Sequence, residues 1–523
     1  MKLMQRKQTA PIKPTIIDRV VELFSPAMAR RRLVSRIQLE QTRAYLAASP
    51  SDEWRPRRST ASANADHRAD SGRLRAKSRA LIQNVPYISA GMTVRAGLTV
   101  GQGIVPKFGG KYGEKLQALW NAQASSVSKG FDADGVMTVY GMQHLVASTL
   151  DVDGEVLVRV RPRRASDGLS SPVQFQVLEI DWLDTLRTDA GNGNQIIDGK
   201  EYDALGKCVA YWLFDQHPGE VVTLKSRIGR TDSKRVPAEY IYHIFAPSRP
   251  GAGRGFPRLS SVINDVRDMQ LLQDAHAQRK NLEARLGALA TGDLGSLENA
   301  PKTEALESGA SLGELSSGGI TYVGAGMNIT AFQPQSDGSF PEYLKLNLHL
   351  ICAGAGFTFE QATGILTDTN FSSARIGGLN QRKEIEHIQW HVLIPQLCDP
   401  VCHAFASAAA MSGKLGRNVV EIIPGRDYTL EQSTPKWDYV NPKDEVGATI
   451  DEIGAGLTSF SEAMRRRGDD PQIRMAELAS DIAGFKSSGI WEDILAMTTG
   501  SRQSPQPAGQ EPAKPTPKKE PKA

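Results

Sequence analysis

Two rhythms of apolar and polar residues divide the chain. Between residues 155 and 214 the period is two. In Glu155-Val-Leu-Val-Arg-Val-Arg161, Val156, Val158 and Val160 fall on one face and Glu155, Arg159 and Arg161 on the other. Such alternation predicts a strand with one apolar and one charged face. Residues 172–180 alternate similarly, Gly191-Asn-Gly-Asn194 supplies a turn, and Cys208-Val-Ala-Tyr-Trp-Leu-Phe214 reads as a buried strand. This block is expected to be α+β.

Elsewhere the spacing is helical. After a polar, extended stretch over 41–69, residues 71–83 predict a helix whose basic face carries Arg73, Arg75, Lys77 and Arg79. Pro86 disfavours helical geometry at Val85, so a break falls near Asn84. A second helix over 87–100 then ends in Gly101-Gln-Gly103. Pro257 suits a first helical turn, and residues 258–286 keep apolar groups at Leu259, Val262, Ile263, Val266 and Met269. A helix of that span is about 43 Å long at 1.5 Å per residue. Its polar interior leaves a narrow stripe for neighbours, as in an assembly. Residues 287–330 hold nine glycines and predict loops and short strands. Another long helix starts near Ser372, kinks at Pro395 and reaches Met411. Helix starts are also signalled by Asn441-Pro442, by the capping box Ser459-Phe-Ser-Glu462 and by Asp470-Pro471. Residues 501–523 include six prolines and are expected to be disordered.

Charge changes this picture more than composition does. The 523 residues allow two to four structural units. The net charge of +4 hides a split. Residues 1–80 hold 18 Lys/Arg against 7 Asp/Glu, and residues 501–523 hold 5 against 2, so the body from 81 to 500 carries −10. A basic arm suits nucleic acid or an acidic partner, and the plain alternative is a solvated arm with no partner. An acidic body argues against tight wrapping of a polyanion. Four cysteines are too few for a disulfide scaffold, which points to a reducing compartment. No apolar signal segment opens the sequence. The longest apolar candidate, residues 391–411, is broken by Pro395, Asp399 and Pro400, so neither a secretory leader nor a membrane partner is expected.

Catalytic motifs fail one by one. Gly-Lys pairs at 110, 199, 206 and 413 are never followed by Ser or Thr, so no P-loop is present. Gly309-Ala-Ser-Leu-Gly313 matches a hydrolase elbow but lacks the apolar strand before it and the helix after it. Gly251-Ala-Gly-Arg-Gly255 follows prolines, not a strand. Asp151-Val-Asp-Gly154 lacks the remaining calcium ligands and sits where a β-turn is expected. His387, His391, Cys398, Cys402 and His403 form one metal-like cluster, with His387 and His391 at zinc-pair spacing. The glutamate of a zinc hydrolase is missing from it, and a buried helix face is the alternative. No catalytic residue, metal or cofactor is assigned.

The residues that match something are not catalytic. They include Trp54-Arg-Pro56, Leu74-Arg-Ala-Lys-Ser-Arg-Ala-Leu81, Asn84-Val-Pro-Tyr87, Val236-Pro-Ala-Glu-Tyr-Ile-Tyr-His-Ile-Phe245 and Arg249-Pro-Gly-Ala-Gly-Arg-Gly255. The most specific stretch is Gly356-Phe-Thr-Phe-Glu-Gln-Ala-Thr-Gly364, followed by Asn370-Phe-Ser-Ser-Ala-Arg375 and later Trp437-Asp-Tyr-Val-Asn-Pro-Lys443. In order and spacing these resemble the portal proteins of lambda-type tailed bacteriophages, over most of residues 50–490. Departures are local: Ala252 stands where the family usually has Gln, and Gly364-Ile-Leu-Thr-Asp lacks the usual acidic-aromatic pair.

The resemblance implies a portal fold. It would comprise a basic N-terminal arm (1–80), an α+β wing (81–257), a stem and clip (258–350) and a candidate tunnel-loop region (351–375). A long helix with a helical crown (376–500) and a disordered tail (501–523) would follow. It implies a ring, usually of twelve subunits, at one capsid vertex, through which double-stranded DNA is packaged and ejected without sequence specificity. Implied partners are the terminase large subunit, the major capsid or scaffold protein and a head-tail connector, with assembly in the host bacterial cytoplasm and residence in the virion. Thr363, Thr367, Thr369, Asn370 and Phe371 would face the DNA channel, or else form an ordinary surface loop. Arg73, Arg75, Lys77 and Arg79 would make arm contacts. Asn84, Tyr87, Arg254, Gly255, Ser372, Ser373, Arg375 and Trp437 would be structural. Because every neutralised phosphate adds affinity, a conduit needs a neutral or acidic lumen, and the −10 of the body is expected partly to line it. The rival readings are a nonspecific DNA-binding protein using the basic arm, and a zinc-dependent or serine hydrolase.

Overall fold

The computed structural model describes residues 62–190, 193–219, 233–285, 288–291, 328–331, 340–366, 371–416, 418–435, 437, 442–467 and 471–492. Gly191, Asn192 and the Gly309–Gly313 motif therefore lie outside the described residues, as do most of the arm and the whole of the tail. The chain divides into two compact units, 1–66 and 67–523. Among the described residues, every helix and strand belongs to the second unit, apart from the first turn of the first helix.

Helix α1 (Ala63–Asn84) starts earlier than the apolar spacing predicts, so 63–69 are helical and not an extended arm. Ser62 explains the start, because its Oγ accepts the N–H of Ala65. After extended Val85 comes α2 (Pro86–Val100), stopped by Gly101 at φ 52°. Then come β1 (Val105–Gly109), α3 (Gly113–Ala124) and α4 (Val139–Asp153). Helix α4 runs through Asp151-Val-Asp, in place of the expected β-turn. The reversal is confined to Gly154, left-handed at φ 85°, which feeds straight into the next strand.

That strand is β2 (Glu155–Pro162), followed by β3 (Val173–Leu178), β4 (Gln195–Ile197), β5 (Lys200–Tyr202), β6 (Cys208–Phe214), β7 (Ser233–Pro237) and β8 (Ile241–Phe245). They form two antiparallel sheets, β3-β2-β8 and β4-β5-β6-β7. In the first sheet Val158 lies between Val177 and Tyr242. The two sheets meet through Leu157, Leu178, Leu213, Val236 and Ile241.

The expected single helix over 258–286 is two pieces. Arg258–Ser261 is a 3-10 turn, and α5 (Ile263–Arg285) begins after Val262. The tighter turn lets Leu259, Val262 and Ile263 all enter one apolar cluster. Short β9 (Ala288–Thr291) and β10 (Asn328–Ala331) pair antiparallel. Helix α6 (Phe340–Ala355) is not among the elements expected from the sequence. Its Leu344, Leu348, Ile351, Cys352 and Ala355 recur at helical spacing and pack on Ile88, Met92, Val262 and Val266.

A five-residue helix α7 (Phe359–Thr363) leads toward α8 (Phe371–Ile388). From α8 the chain passes directly into ten residues of π-helix, Gln389–Cys398, and on into α9 (Asp399–Met411). Pro395 lies inside the π stretch. Proline lacks the N–H that would continue the α-ladder and crowds the carbonyl four residues back, so a wider turn accommodates it without ending the helix. The far half of this rod carries Leu397, Val401 and Phe405 into the largest core cluster, with Trp120, Phe131 and Phe175. The rings of Trp120 and Phe131 lie 4.5 Å apart. Strand β11 (Thr429–Ser433) pairs back with β1. Helices α10 (Pro442–Gly454), α11 (Phe460–Arg466) and α12 (Pro471–Ser487) follow, and Ser459 caps α11 by accepting the N–H of Glu462. No helix among the described residues is long and apolar enough to cross a membrane.

Candidate functional site

The stretch from Gly356 to α8 is held firmly at its base. Gly356, at φ 82°, ends α6 where a Cβ would collide with the Arg258 guanidinium. Phe357 is buried against α2, and Gly91 there has no room for a side chain beside its ring. Thr358 and Gln361 form a capping box: Gln361 N–H donates to Thr358 Oγ1 at 3.4 Å, and Thr358 N–H to Gln361 Oε1 at 3.1 Å. The Gln361 and Gln381 side-chain amides bond each other reciprocally at 2.7 and 2.8 Å, tying α7 to α8.

Beyond this base the chain turns outward. Thr363 donates to Phe359 O at 2.9 Å and accepts from Ile365 N–H at 3.2 Å, so its hydroxyl already serves the backbone. Ile365 and Leu366 are 48% and 68% exposed. Thr367, Thr369 and Asn370 lie outside the described residues. Phe371, Ser372, Ser373 and Arg375 open α8, but their side chains also fall outside.

Two guanidinium groups anchor the base to the rest of the fold. Arg95 of α2 is fully buried. It donates to Gly356 O at 2.7 Å and Asp151 Oδ2 at 3.2 Å, and reaches Glu384 of α8 at 3.4 Å. Arg258 pairs with the same Glu384 and donates to Ala355 O at 3.2 Å. The last carbonyls of α6, which lack helical partners, are thus satisfied by arginine. Burial pushes the Asp151 carboxyl up, against the pull of Arg95 and Arg258. Burial and the Arg95 charge push Arg258 down to about 10.

A second cluster centres on Glu155. The period-two pattern places it on the face opposite the valines, but that face is covered, and Glu155 is 0% exposed. Arg254 grips it bidentately at 2.6 and 2.7 Å. His243 Nε2 lies 3.0 Å away, and from α1 come His67 at 3.4 Å and Arg75 at 3.6 Å. Burial would raise the Glu155 carboxyl, but Arg254 and the hydrogen bonds of His243 and His67 outweigh it and hold it well below the usual range. Burial pushes His243 down to about 4. A neutral His243 can donate from Nε2 to Glu155 and accept the Lys200 ammonium at Nδ1, 3.4 Å away. Gly255 packs on the Gly154 carbonyl too closely for a Cβ, and its own carbonyl meets His67 Nε2 at 2.9 Å.

The basic face of α1 is not one surface. Residues two apart on a helix point away from each other. Arg75 and Arg79 turn inward: Arg75 meets Asp181 at 2.9 Å, and Arg79 meets Asp153, Asp181 and Glu179 at 2.6, 2.8 and 3.1 Å. Arg73 and Lys77 point outward and are exposed. Arm contact through all four is corrected accordingly, since two are already ion-paired within the chain. Glu179, Asp181 and His217 are close enough to share a metal ion, but the Arg79 guanidinium already neutralises both carboxylates. Asn84 donates to Ala80 O within its own helix. The Tyr87 hydroxyl is buried and pushed up to about 12 by that burial. Trp437 Nε1 donates to Glu386 at 3.1 Å, under the Arg382 guanidinium.

The five-residue metal-like cluster does not assemble. Cys398 and Cys402 are buried in the core, where Gln143 and Gln432 approach their sulfurs. His403 bonds the Tyr428 hydroxyl at 2.9 Å. His387 and His391 lie exposed on the other side of the rod. All four cysteines are free, and burial raises each thiol.

The chain as a whole is similar to known proteins. The family model described as phage portal protein, lambda family, matches residues 49–389. The chain is 27% identical over 374 residues to the probable portal protein of Halomonas phage phiHAP-1, covering 69% of this chain and 68% of that one. It is 20% identical over 410 residues to the portal protein of Escherichia phage N15, covering 72% and 75%. Among solved structures, a chain in the virion of a native gene transfer agent particle aligns at 14% identity and a TM-score of 0.41, covering 78% of this chain and 99% of that one. A chain in the neck of the native particle, computed with C12 symmetry, aligns at 13% and 0.39, covering 80% and 95%. The chain belongs to the lambda family of phage portal proteins. It is a structural, non-enzymatic virion component that forms the channel at a capsid vertex for DNA packaging.

Proposed function

We propose that about twelve copies close into a ring whose lumen is lined in part by the residues that follow α7, from Gly364 to Leu366, so that double-stranded DNA slides past them during packaging and ejection. In this reading 81–257 are wing, 258–350 stem and clip, 351–375 the tunnel-loop region, and 376–500 the long helix and crown. The terminase large subunit docks first and a head-tail connector later, capsid or scaffold protein surrounds the ring, and assembly takes place in the host bacterial cytoplasm. One observation carries the reading: the outward edge at Ile365 and Leu366 rises from a base fixed by Arg95, Arg258 and the Gln361–Gln381 pair. A loop that meets moving DNA needs a rigid base and an uncharged edge, because each added cation strengthens phosphate binding. Among the described residues, Thr363 to Leu366 carry no charge.

Electron micrographs of the purified full chain test the ring; particles with a central hole are expected, and a compact monomer overturns it. A photo-crosslinking residue at Ile365 tests the lumen. It should crosslink to packaged DNA, whereas the same residue at exposed Leu205 should not. Equal crosslinking at both positions removes the tunnel assignment and leaves the ring untouched.

A further inference from the structure

We propose that His387 and His391 form a two-imidazole site for a divalent transition-metal ion of the copper, nickel or zinc class. Their ring centroids lie 4.6 Å apart, with planes at 57°, and both residues are exposed. Among the described residues no hydrogen bond or ion pair engages either ring.

The backbone explains why the rings come so close. His387 is in the last turn of α8, and His391 lies just inside the π stretch that starts at Gln389. Four steps of a plain α-helix overshoot a full turn by about 40°. A π turn contains more residues, so each step rotates less and the overshoot shrinks. The two imidazoles therefore sit more nearly one above the other than an ordinary i, i+4 pair. The junction that accommodates Pro395 also aligns the ligands.

The ligand chemistry selects the ion. Two neutral imidazoles and water suit copper(II), nickel(II) and zinc(II). The thiols that would add soft-ion preference, Cys398 and Cys402, are buried in the core and do not reach this face. With only two protein ligands, affinity should follow the intrinsic order, copper above nickel and zinc, and not the zinc preference of a closed four-ligand site.

Calorimetric titration of the full-length protein, in its assembled form and in a non-coordinating buffer, tests the site with copper(II), nickel(II) and zinc(II) salts separately. One ion per chain is expected. Losing either ring converts a chelate into a single contact, so His387→Gln or His391→Gln should weaken binding by about 100-fold. His403→Gln, whose ring is engaged by Tyr428, should leave binding unchanged. Thermal unfolding of the metal-free single variants should match the parent, because both side chains are exposed. Absence of saturable binding, or binding undiminished in the His387→Gln/His391→Gln double variant, overturns the proposal.

Discussion

The two buried charge clusters differ in what occupies the centre. Around Glu155 one carboxylate is ringed by donors from α1, β8 and the 251–255 loop. Around Arg95 and Arg258, two guanidinium groups share two carboxylates and two backbone carbonyls. The first is sealed, with Glu155 and Arg254 both buried. The second opens to water at Glu384, whose side chain is 38% exposed. A sealed ion pair that loses a partner has no solvent to replace it, whereas an open one does. The Glu155 cluster is thus a fastener between α1 and the sheet. The arginine cluster is a joint where α2, α4, α6 and α8 meet, at the base of the segment proposed to face DNA.

Breaking the fastener should have the largest effect. Arg254→Met takes the bidentate cation from buried Glu155 and should cost about 3–5 kcal/mol, read by urea unfolding. A variant as stable as the parent would mean that the cluster does not hold α1 in place. The next effect is one of pH. His243, held at about 4 in the fold, has an ordinary value near 6.5 when unfolded. Between those values the unfolded chain takes up a proton that the folded chain refuses. Stability is therefore intact above about pH 6.5 and falls by up to about 3 kcal/mol as the pH approaches 4. Glu155, with its lowered value, adds a further loss only at lower pH, as the pH falls through its folded value. His243→Gln should flatten the upper window in a pH series of melting curves, whereas the lower one should persist through Arg254 and His67.

Loosening the joint should cost less. Glu384→Gln should lower stability by only about 1 kcal/mol, because water reaches the site. Its larger consequence should be slower DNA packaging in a reconstituted assay, since Arg258 and Arg95 lose a shared anchor on α8. Unchanged packaging would separate the joint from the segment proposed to face DNA. The smallest effect should come from Arg73→Ala with Lys77→Ala, within about 0.5 kcal/mol of the parent, whereas Arg79→Ala should be visibly worse because Asp153, Glu179 and Asp181 lose the cation they share.

How much of the structure is legible in the chain depends on the range of each interaction. Strands β2, β3 and β6, helix α2, the Ser459 cap and the long rod ending at Met411 are legible because period, proline and caps are local. The break at Val262 and the π stretch around Pro395 are not, because packing chooses among helical geometries that share nearly the same apolar spacing. Helix α6 is legible in principle from Leu344, Leu348, Ile351 and Ala355, but the glycine-rich residues before it draw the reading toward loops. The charge clusters are invisible for a different reason. Glu155 reads as a surface residue until His67, His243 and Arg254 arrive from 88 to 99 positions away. Arg254 and Gly255 stand out by resemblance alone, and the fold supplies their physical roles: a bidentate partner for Glu155, and a backbone position too close to Gly154 for any side chain.

The buried thiols have a practical corollary for spectroscopy. Thiolate, not thiol, reacts with maleimides, and every native cysteine here is shifted toward the inert form. Cys352, Cys398 and Cys402 are also buried and Cys208 is half-buried, so maleimide labelling of the native thiols should be slow. A fluorophore or spin label directed to a cysteine introduced at Ile365 or Lys77 would report from that position with little competing signal.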